Sequence, residues 1–304
     1  MGTKRVLGAG VLVAAAAMMS TAGCSAGSGG STSSRATPRA TVAFDASDPA
    51  TWVLPIEGYL PSDNERKQVS QARKTLAADC MKKYGLSWRP APDLPRLGPK
   101  TLVDWRYGIH DMALARERGY KPPAAEQEAY DRAVEVGAVG DTSGTGPETE
   151  VLEGGVEQIG GKAVPKGGCL GETDRKLSAG AGGTPVAQKL STGTFVESQQ
   201  DPAVVKAFKA WSDCMRAGGF TYDRPLDASD DQRFASQEVT PLEIKTATAD
   251  ISCRDRTNVA RIWYGAETAL QEKQIDSQAE LLDRERRDLD SAVKKAASVV
   301  EGTR

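Results

Sequence analysis

Cys80-Met81-Lys82-Lys83-Tyr84-Gly85-Leu86-Ser87-Trp88-Arg89-Pro90 returns later in the chain as Cys214-Met215-Arg216-Ala217-Gly218-Gly219-Phe220-Thr221-Tyr222-Asp223-Arg224-Pro225. Both stretches read Cys-Met-basic-x-x-Gly-apolar-hydroxyl-aromatic and then reach a proline. Each closes a helical pattern. Before the first, Ser62 and Glu65 have capping-box spacing, and Val69, Ala72, Leu76, Cys80 and Tyr84 recur on one helical face. Before the second, Asp201-Pro202 supplies an N-cap with proline at the first helical position, and Val204, Phe208, Trp211 and Met215 form the stripe. Glycine commonly ends a helix, so Gly85 and Gly218-Gly219 predict the two stops. A cysteine in the last turn, on or beside the buried stripe, can bridge to another element. The chain then leaves extended, with Trp88 or Tyr222 covering the core.

The first two dozen residues say where such bridges can form. Lys4 and Arg5 precede an apolar run from Val6 to Met19, and Ser20-Thr21-Ala22-Gly23 follow. A positive start, a short apolar core and a small-residue cleavage site predict a secretory signal peptide over 1–23. The run falls short of the ~20 residues a bilayer core needs. The chain has five cysteines. Cys80, Cys169, Cys214 and Cys253 lie downstream, and an even number in an exported protein predicts disulfides. No C-x-x-C pair is present, so neither a zinc nor a redox motif has the spacing it needs. Of the three possible connectivities, pairing within each half, Cys80–Cys169 and Cys214–Cys253, gives two stapled units. Each bridge would contribute about 3–4.5 kcal/mol by loop-closure entropy. The alternative joins the halves through Cys80–Cys214.

Thr21-Ala22-Gly23-Cys24 resembles the lipobox of bacterial lipoproteins, with Thr21 where Leu is the common residue. The resemblance implies that Cys24 takes a diacylglycerol and becomes the new N-terminus, holding the protein on the outer face of the cytoplasmic membrane. The repeated Cys-Met-x-x-x-Gly pattern behind this lipobox resembles uncharacterised extracytoplasmic lipoproteins of high-GC Gram-positive (actinobacterial) type. Arg106-Tyr107-Gly108, Ala115 and Gly119-Tyr120 fit the same likeness. It implies a location and a disulfide framework and carries no established activity.

Charge narrows the partners. The formal net charge is −2 and becomes −4 once Lys4 and Arg5 are removed, 37 basic residues then standing against 41 acidic ones. Mild acidity argues against nucleic acid, which requires clustered Lys and Arg, and against a polybasic grip on lipid headgroups.

Residues 24–50 are rich in Ser, Gly, Thr and Ala and predict a flexible tether. Residues 51–304 form the expected folded part, a mainly α, disulfide-stapled helical domain. Pro90 to Pro99 is too rich in proline for helix. Leu102 to Arg118 predicts one helix with Leu102, Ile109, Ala113 and Leu114 inward, and Glu126 to Val136 a shorter one. Residues 137–195 are dense in glycine with few large apolar residues and predict a long loop insertion, with a hairpin near Thr149–Ile159 and Cys169 tethering its middle. Thr240-Pro241-x-Glu243 opens a long C-terminal helix over 241–300. Its apolar face begins with Leu242, Ile251, Val259, Ile262, Trp263, Ala266 and Leu270. Ile275, Leu282, Leu289 and Ala296 continue it at spacings of seven, which resembles a weak coiled-coil seam, with Glu285 near an alternate core position.

Chemistry is sparse. His110, the single histidine, stands beside Asp111 in the predicted helix and reads as a structural side chain. No G-x-S-x-G occurs, and Gly154-Gly155 and Gly160-Gly161 lack the Lys-Ser/Thr of a phosphate loop. Glu126 with Glu128, or Glu148, Glu150 and Glu153, are the nearest approach to a carboxylate pair. No metal, cofactor or catalytic set emerges. The expected function is therefore a non-catalytic, lipid-anchored binding or scaffold protein of the cell envelope. Its working surfaces would be the glycine-rich insertion and the last helix from about Gln271. Its partner would be an envelope protein or the wall polymer. The alternatives are a carboxylate-dependent wall hydrolase and a solute-binding accessory of a transporter. The latter usually has two α/β lobes, whose alternating strand and helix patterns are missing here.

Overall fold

The computed structural model describes residues 43–139, 146–178 and 183–302. The signal segment, Cys24 and most of the tether lie outside the described residues. Twelve α-helices are described in chain order: α1 Asp63–Lys82, α2 Leu102–Tyr107, α3 Met112–Arg118, α4 Ala124–Glu135, α5 Pro147–Glu153, α6 Gly168–Leu177, α7 Pro185–Ser198, α8 Pro202–Ala217, α9 Pro225–Ser229, α10 Pro241–Thr257, α11 Val259–Ser277 and α12 Ala279–Glu301. The strands among the described residues are β1 Gln158–Ile159 and β2 Lys162–Ala163, an antiparallel pair with Gln158 opposite Ala163. The fold is mainly α.

Both Cys-Met motifs end their helices in the same way. After α1, Leu86 N–H donates to Met81 O (3.2 Å) with Gly85 at φ +73°; after α8, Phe220 N–H donates to Met215 O (3.0 Å) with Gly219 at φ +88°. This six-to-one bond over a left-handed residue is the Schellman arrangement. The spacing Met-x-x-x-Gly-apolar thus encodes the stop: the glycine turns the chain and the next apolar residue folds back onto the helix end. Leu86 packs with Cys80 and Met81, and Phe220 with Trp211 and Met215. The cysteine before each methionine faces inward. Cys80 is bonded to Cys169 in the first turn of α6, with Cα atoms 5.6 Å apart, and Cys214 to Cys253 in α10 at 5.7 Å.

The two ends serve different parts of the core. Cys80, Met81 and Ala77 pack with Val151, Leu152 and Cys169 of α5 and α6. Trp211, Met215, Phe208 and Val204 of α8 pack with Trp263 and Val259 of α11 and with Tyr107. On α1, Ala72, Ala77, Cys80 and Met81 are buried, whereas Val69, Leu76 and Tyr84 are only partly so.

Four expectations change. The tether does not reach residue 50: Asp48 caps a 3-10 turn over Pro49–Thr51, and Trp52 Nε1 donates to Asp45 O at 2.8 Å. The helix expected over 102–118 breaks at Gly108. A Cβ there would come within 2.7 Å of the Arg254 guanidinium, so the chain passes Arg254 only as glycine. Val103, Tyr107 and Ala115 are the buried apolar residues, Arg106 is buried with them, and Ala113 is exposed. The span 137–195 is no long loop: its described residues include α5, the hairpin at 158–163, α6 and most of α7. Val151, Leu152, Cys169, Leu177, Ala187 and Leu190, spread thinly through glycine-rich sequence, are all buried. Helix does continue from Pro241 to Glu301, but in segments separated at Asn258, which is left-handed at φ +53°, and at Gln278.

The stripe of sevens is used inside the molecule. Ile275, Leu282, Leu289 and Ala296 are all buried, and α12 lies along α1, α6 and α7. Glu285 caps α7 from outside its own helix, accepting from Val186 N (2.8 Å) and Ala187 N (3.1 Å). The face read as a partner seam is therefore already paired, and Leu242, expected inward, is exposed.

Candidate functional site

Two buried polar networks hold the segment that carries His110. In the first, Glu267 of α11 is fully buried and accepts from Arg106 Nη1, from Tyr107 Oη (2.6 Å) and from Gln271 Nε2 (2.8 Å). Arg106 Nη2 donates to Ser191 O and Oγ of α7, both at 2.7 Å, and Gln271 Oε1 accepts from Ile56 N (3.0 Å). Burial lowers the Arg106 guanidinium to about 10, which still leaves it charged at neutral pH. The Tyr107 hydroxyl is pushed upward, chiefly by burial, and stays protonated as the donor to Glu267.

In the second, Asp250 of α10 accepts from Trp211 Nε1 (2.9 Å), Tyr120 Oη (3.1 Å) and Arg254 Nε (2.7 Å). Arg254 also donates to Tyr107 O, through Nη1, and to Pro225 O (2.9 Å). Buried charges persist when paired and hydrogen-bonded. These networks fix the C-terminal end of α2 and, with Tyr120 just beyond α3, hold the 108–111 link against α10.

That link forms walls. A cleft of about 260 Å³ is lined by Ile109, His110, Leu114, Tyr120 and Pro123, with Lys100 and Glu126 among its polar groups. A second, of about 240 Å³, shares Ile109 and His110 and adds Trp52, Arg254 and Asp255. His110 Nδ1 lies 3.5 Å from Asp104 Oδ1, and the atom is buried without a hydrogen-bond partner. Lys100 Nζ pairs with Glu126 Oε2 at 2.5 Å, and Lys121 Nζ with Glu243 Oε1 at 3.1 Å. Asp104 Oδ2 caps α2 through Thr101 N–H (3.0 Å), and Asp111 Oδ1 caps α3 through Ala113 and Leu114 N–H, both at 2.9 Å. Glu243 is fully buried, and its Oε2 has no partner.

A larger groove of about 480 Å³ runs beside α8, past Phe208, Lys209, Asp213, Arg216 and Arg224. Its cations are already engaged: Lys209 and Arg216 both pair with Asp213 (2.6 and 2.9 Å), and Arg224 pairs with Asp227 (3.0 Å).

The carboxylates singled out in the sequence do not converge. Glu126 lines the cleft, while Glu128 is exposed and pairs with Arg132 on its own helix at 3.6 Å. Glu148, Glu150 and Glu153 are exposed along α5. His110, expected inside a helix, stands in the break between α2 and α3. Among the described residues no cluster of three or more His, Cys, Asp or Glu could hold a metal ion. No described helix is long and apolar enough to cross a membrane. The buried groups Asp250, Arg254 and Glu267 were not singled out from sequence; Arg106 entered only within the Arg106-Tyr107-Gly108 likeness, and Gln271, the start of an expected working surface, is fully buried. The signal was there: Val259, Trp263, Glu267, Gln271 and Ile275 fall every four residues on one buried stripe, so two polar residues occupy core positions.

Comparison with family models, curated proteins and solved structures finds no match to this chain.

Proposed function

We propose that this protein is a lipid-anchored binding or scaffold protein of the bacterial envelope. Cys24 would hold it on the outer face of the cytoplasmic membrane, and it would perform no catalysis of its own. One observation carries the reading: Cys80, Cys169, Cys214 and Cys253 are bonded to one another, so Cys24 is the fifth, odd cysteine, placed directly after an apolar leader and a small-residue stretch. Disulfide use of this kind belongs to oxidising compartments. An odd cysteine at that position fits acylation, and two or more acyl chains hold stably where one does not, at about 0.8 kcal/mol per buried CH₂. The partner would be an envelope protein or the wall polymer. With the seam of α12 paired inside the molecule, the clefts at His110 would be the working surface.

The test is fractionation of cells producing the full chain. Wild-type protein is expected in the membrane fraction, and the Cys24→Ser variant in the soluble extracytoplasmic fraction or the medium. Wild-type protein found soluble, or identical fractionation of both forms, overturns the anchor.

A further inference from the structure

We propose that the cleft at His110 is a binding site for a small organic ammonium ion with an apolar body. This deepens the binding reading above and rests on it.

The walls set the apolar part. Ile109, Leu114, Ala115, Tyr120, Pro122 and Pro123 line a space of about 260 Å³. The charges set the sign. Asp104, Asp111 and Glu126 face the cleft against Lys100 and Lys121, and Glu243 sits behind the wall, against Gly119. Each lysine is already matched, Lys100 by Glu126 and Lys121 by Glu243. Among the described residues, Asp104 and Asp111 are the carboxylates of this cleft without a lysine or arginine partner in ion-pair range, and their hydrogen bonds run to backbone N–H groups. An anionic ligand would have to break a lysine pair, whereas a cation meets carboxylates that are already in place.

His110 lines the same end of the cleft, its Nδ1 3.5 Å from Asp104 Oδ1. An ammonium donor seated against the Asp104 carboxylate would give it the cationic partner that the lysines do not supply, with its stem along Leu114 and the prolines. The ordered link keeps this geometry in place before any ligand arrives, because Tyr107 and Arg254 pin the chain just before His110.

The full chain carrying Cys24→Ser has one histidine, so the imidazole C–H resonances of His110 report the site by NMR. The probes are n-hexylamine, n-hexanol and n-hexanoate, then propyl- and butylamine. The expected result is a saturable shift with hexylamine and much weaker binding of the alcohol and acid. Each added methylene should tighten binding about fourfold. Asp104→Asn should weaken hexylamine at least tenfold, and Leu114→Trp, which fills the cleft, should abolish it.

Equal binding of hexanoate or hexanol overturns the ammonium proposal while leaving a binding protein. Hexylamine binding indifferent to chain length, or to both variants, overturns the cleft as the site. Absence of any saturable shift overturns both the proposal and binding through this cleft, and leaves the anchor to be judged by fractionation. Should either variant fail to fold, the methylene series and the alcohol and acid controls on the parent chain decide alone.

Discussion

Replacing glycines one at a time tests the helix stops that organise the fold, because the sign of each effect is fixed in advance. Gly85 and Gly219 have φ of +73° and +88°, and a Cβ added at either would meet nothing within 4 Å. Alanine at these positions therefore costs backbone strain alone, about 1–2 kcal/mol for a non-glycine residue in the left-handed region. Gly193 inside α7 and Gly265 inside α11 are exposed, and a Cβ there also meets nothing within 4 Å. With ordinary helical backbone and open space, alanine gains about 0.8–1 kcal/mol of helix propensity. The two pairs should thus differ by about 2–3 kcal/mol with opposite signs. The readout is urea unfolding followed by far-ultraviolet circular dichroism with the disulfides intact. Each kcal/mol corresponds to about 2–4 °C in Tm for domains of 150–250 residues. If Gly85→Ala or Gly219→Ala stabilises the protein, the left-handed stop is wrong there, since glycine replaced at a compatible φ gains stability. If Gly193→Ala or Gly265→Ala destabilises it, the open helical surface assigned to α7 or α11 is wrong.

Removing Glu267 by Glu267→Ala leaves Arg106 buried without its counter-charge and should cost about 3–5 kcal/mol. Arg106→Met should cost a similar amount and the double variant less than the sum, measured as a double-mutant cycle in urea. Additive losses would show that the pair does not interact. Asp231 is held well below the ordinary carboxylate value of 3.8, foremost by the Arg233 side chain, with the Arg233 backbone and the Tyr222 hydroxyl adding to it. Its folded value lies below its unfolded one, so its contribution is present above about pH 4 and is lost as pH falls further. The acid limb of Tm against pH should flatten in Asp231→Asn, a change that keeps an N-cap residue; an unchanged limb refutes the assignment.

The helical class and both helix stops were legible because they depend on local spacing. Ser62 with Glu65, Asp201 before Pro202 and Thr240 before Pro241 each start a helix where expected, and each makes the cap hydrogen bond its position implies. What depends on distant contacts was not legible. The break at Gly108 exists because Arg254, 146 residues on, fills the space beside it. The insertion over 137–195 looked too poor in apolar residues to order itself. Yet Val151, Leu152 and Cys169 pack onto the end of α1, and Ala187 and Leu190 join the core around α8 and α11. In α12 the spacing of sevens marks a weak coiled-coil seam, but spacing cannot say whether the complementary surface belongs to the same chain. Here it is α1, and Arg286 of α12 fixes the match by pairing with the capping Glu65 at 2.6 Å.

The repeated motif duplicates a way of ending a helix rather than a domain, and this shapes where a ligand could bind. Cys80 and its Schellman turn fasten α1 to α6, whereas Cys214 and its turn fasten α8 to α10, and the elements around them differ. Only the second fastening reaches the His110 link, because α10 carries both Cys253 and, one residue later, Arg254. Arg254 in turn grips Tyr107 O beside Gly108. Burying its guanidinium with Asp250 is poor value for stability when an apolar pair of the same volume could fill the space. What an apolar pair could not do is hold a backbone carbonyl in α2, a second carbonyl at Pro225 and a tyrosine hydroxyl at one point. The ion pair therefore acts as a positioning device. It keeps the short link between α2 and α3 out of helix and His110 on the wall of the cleft.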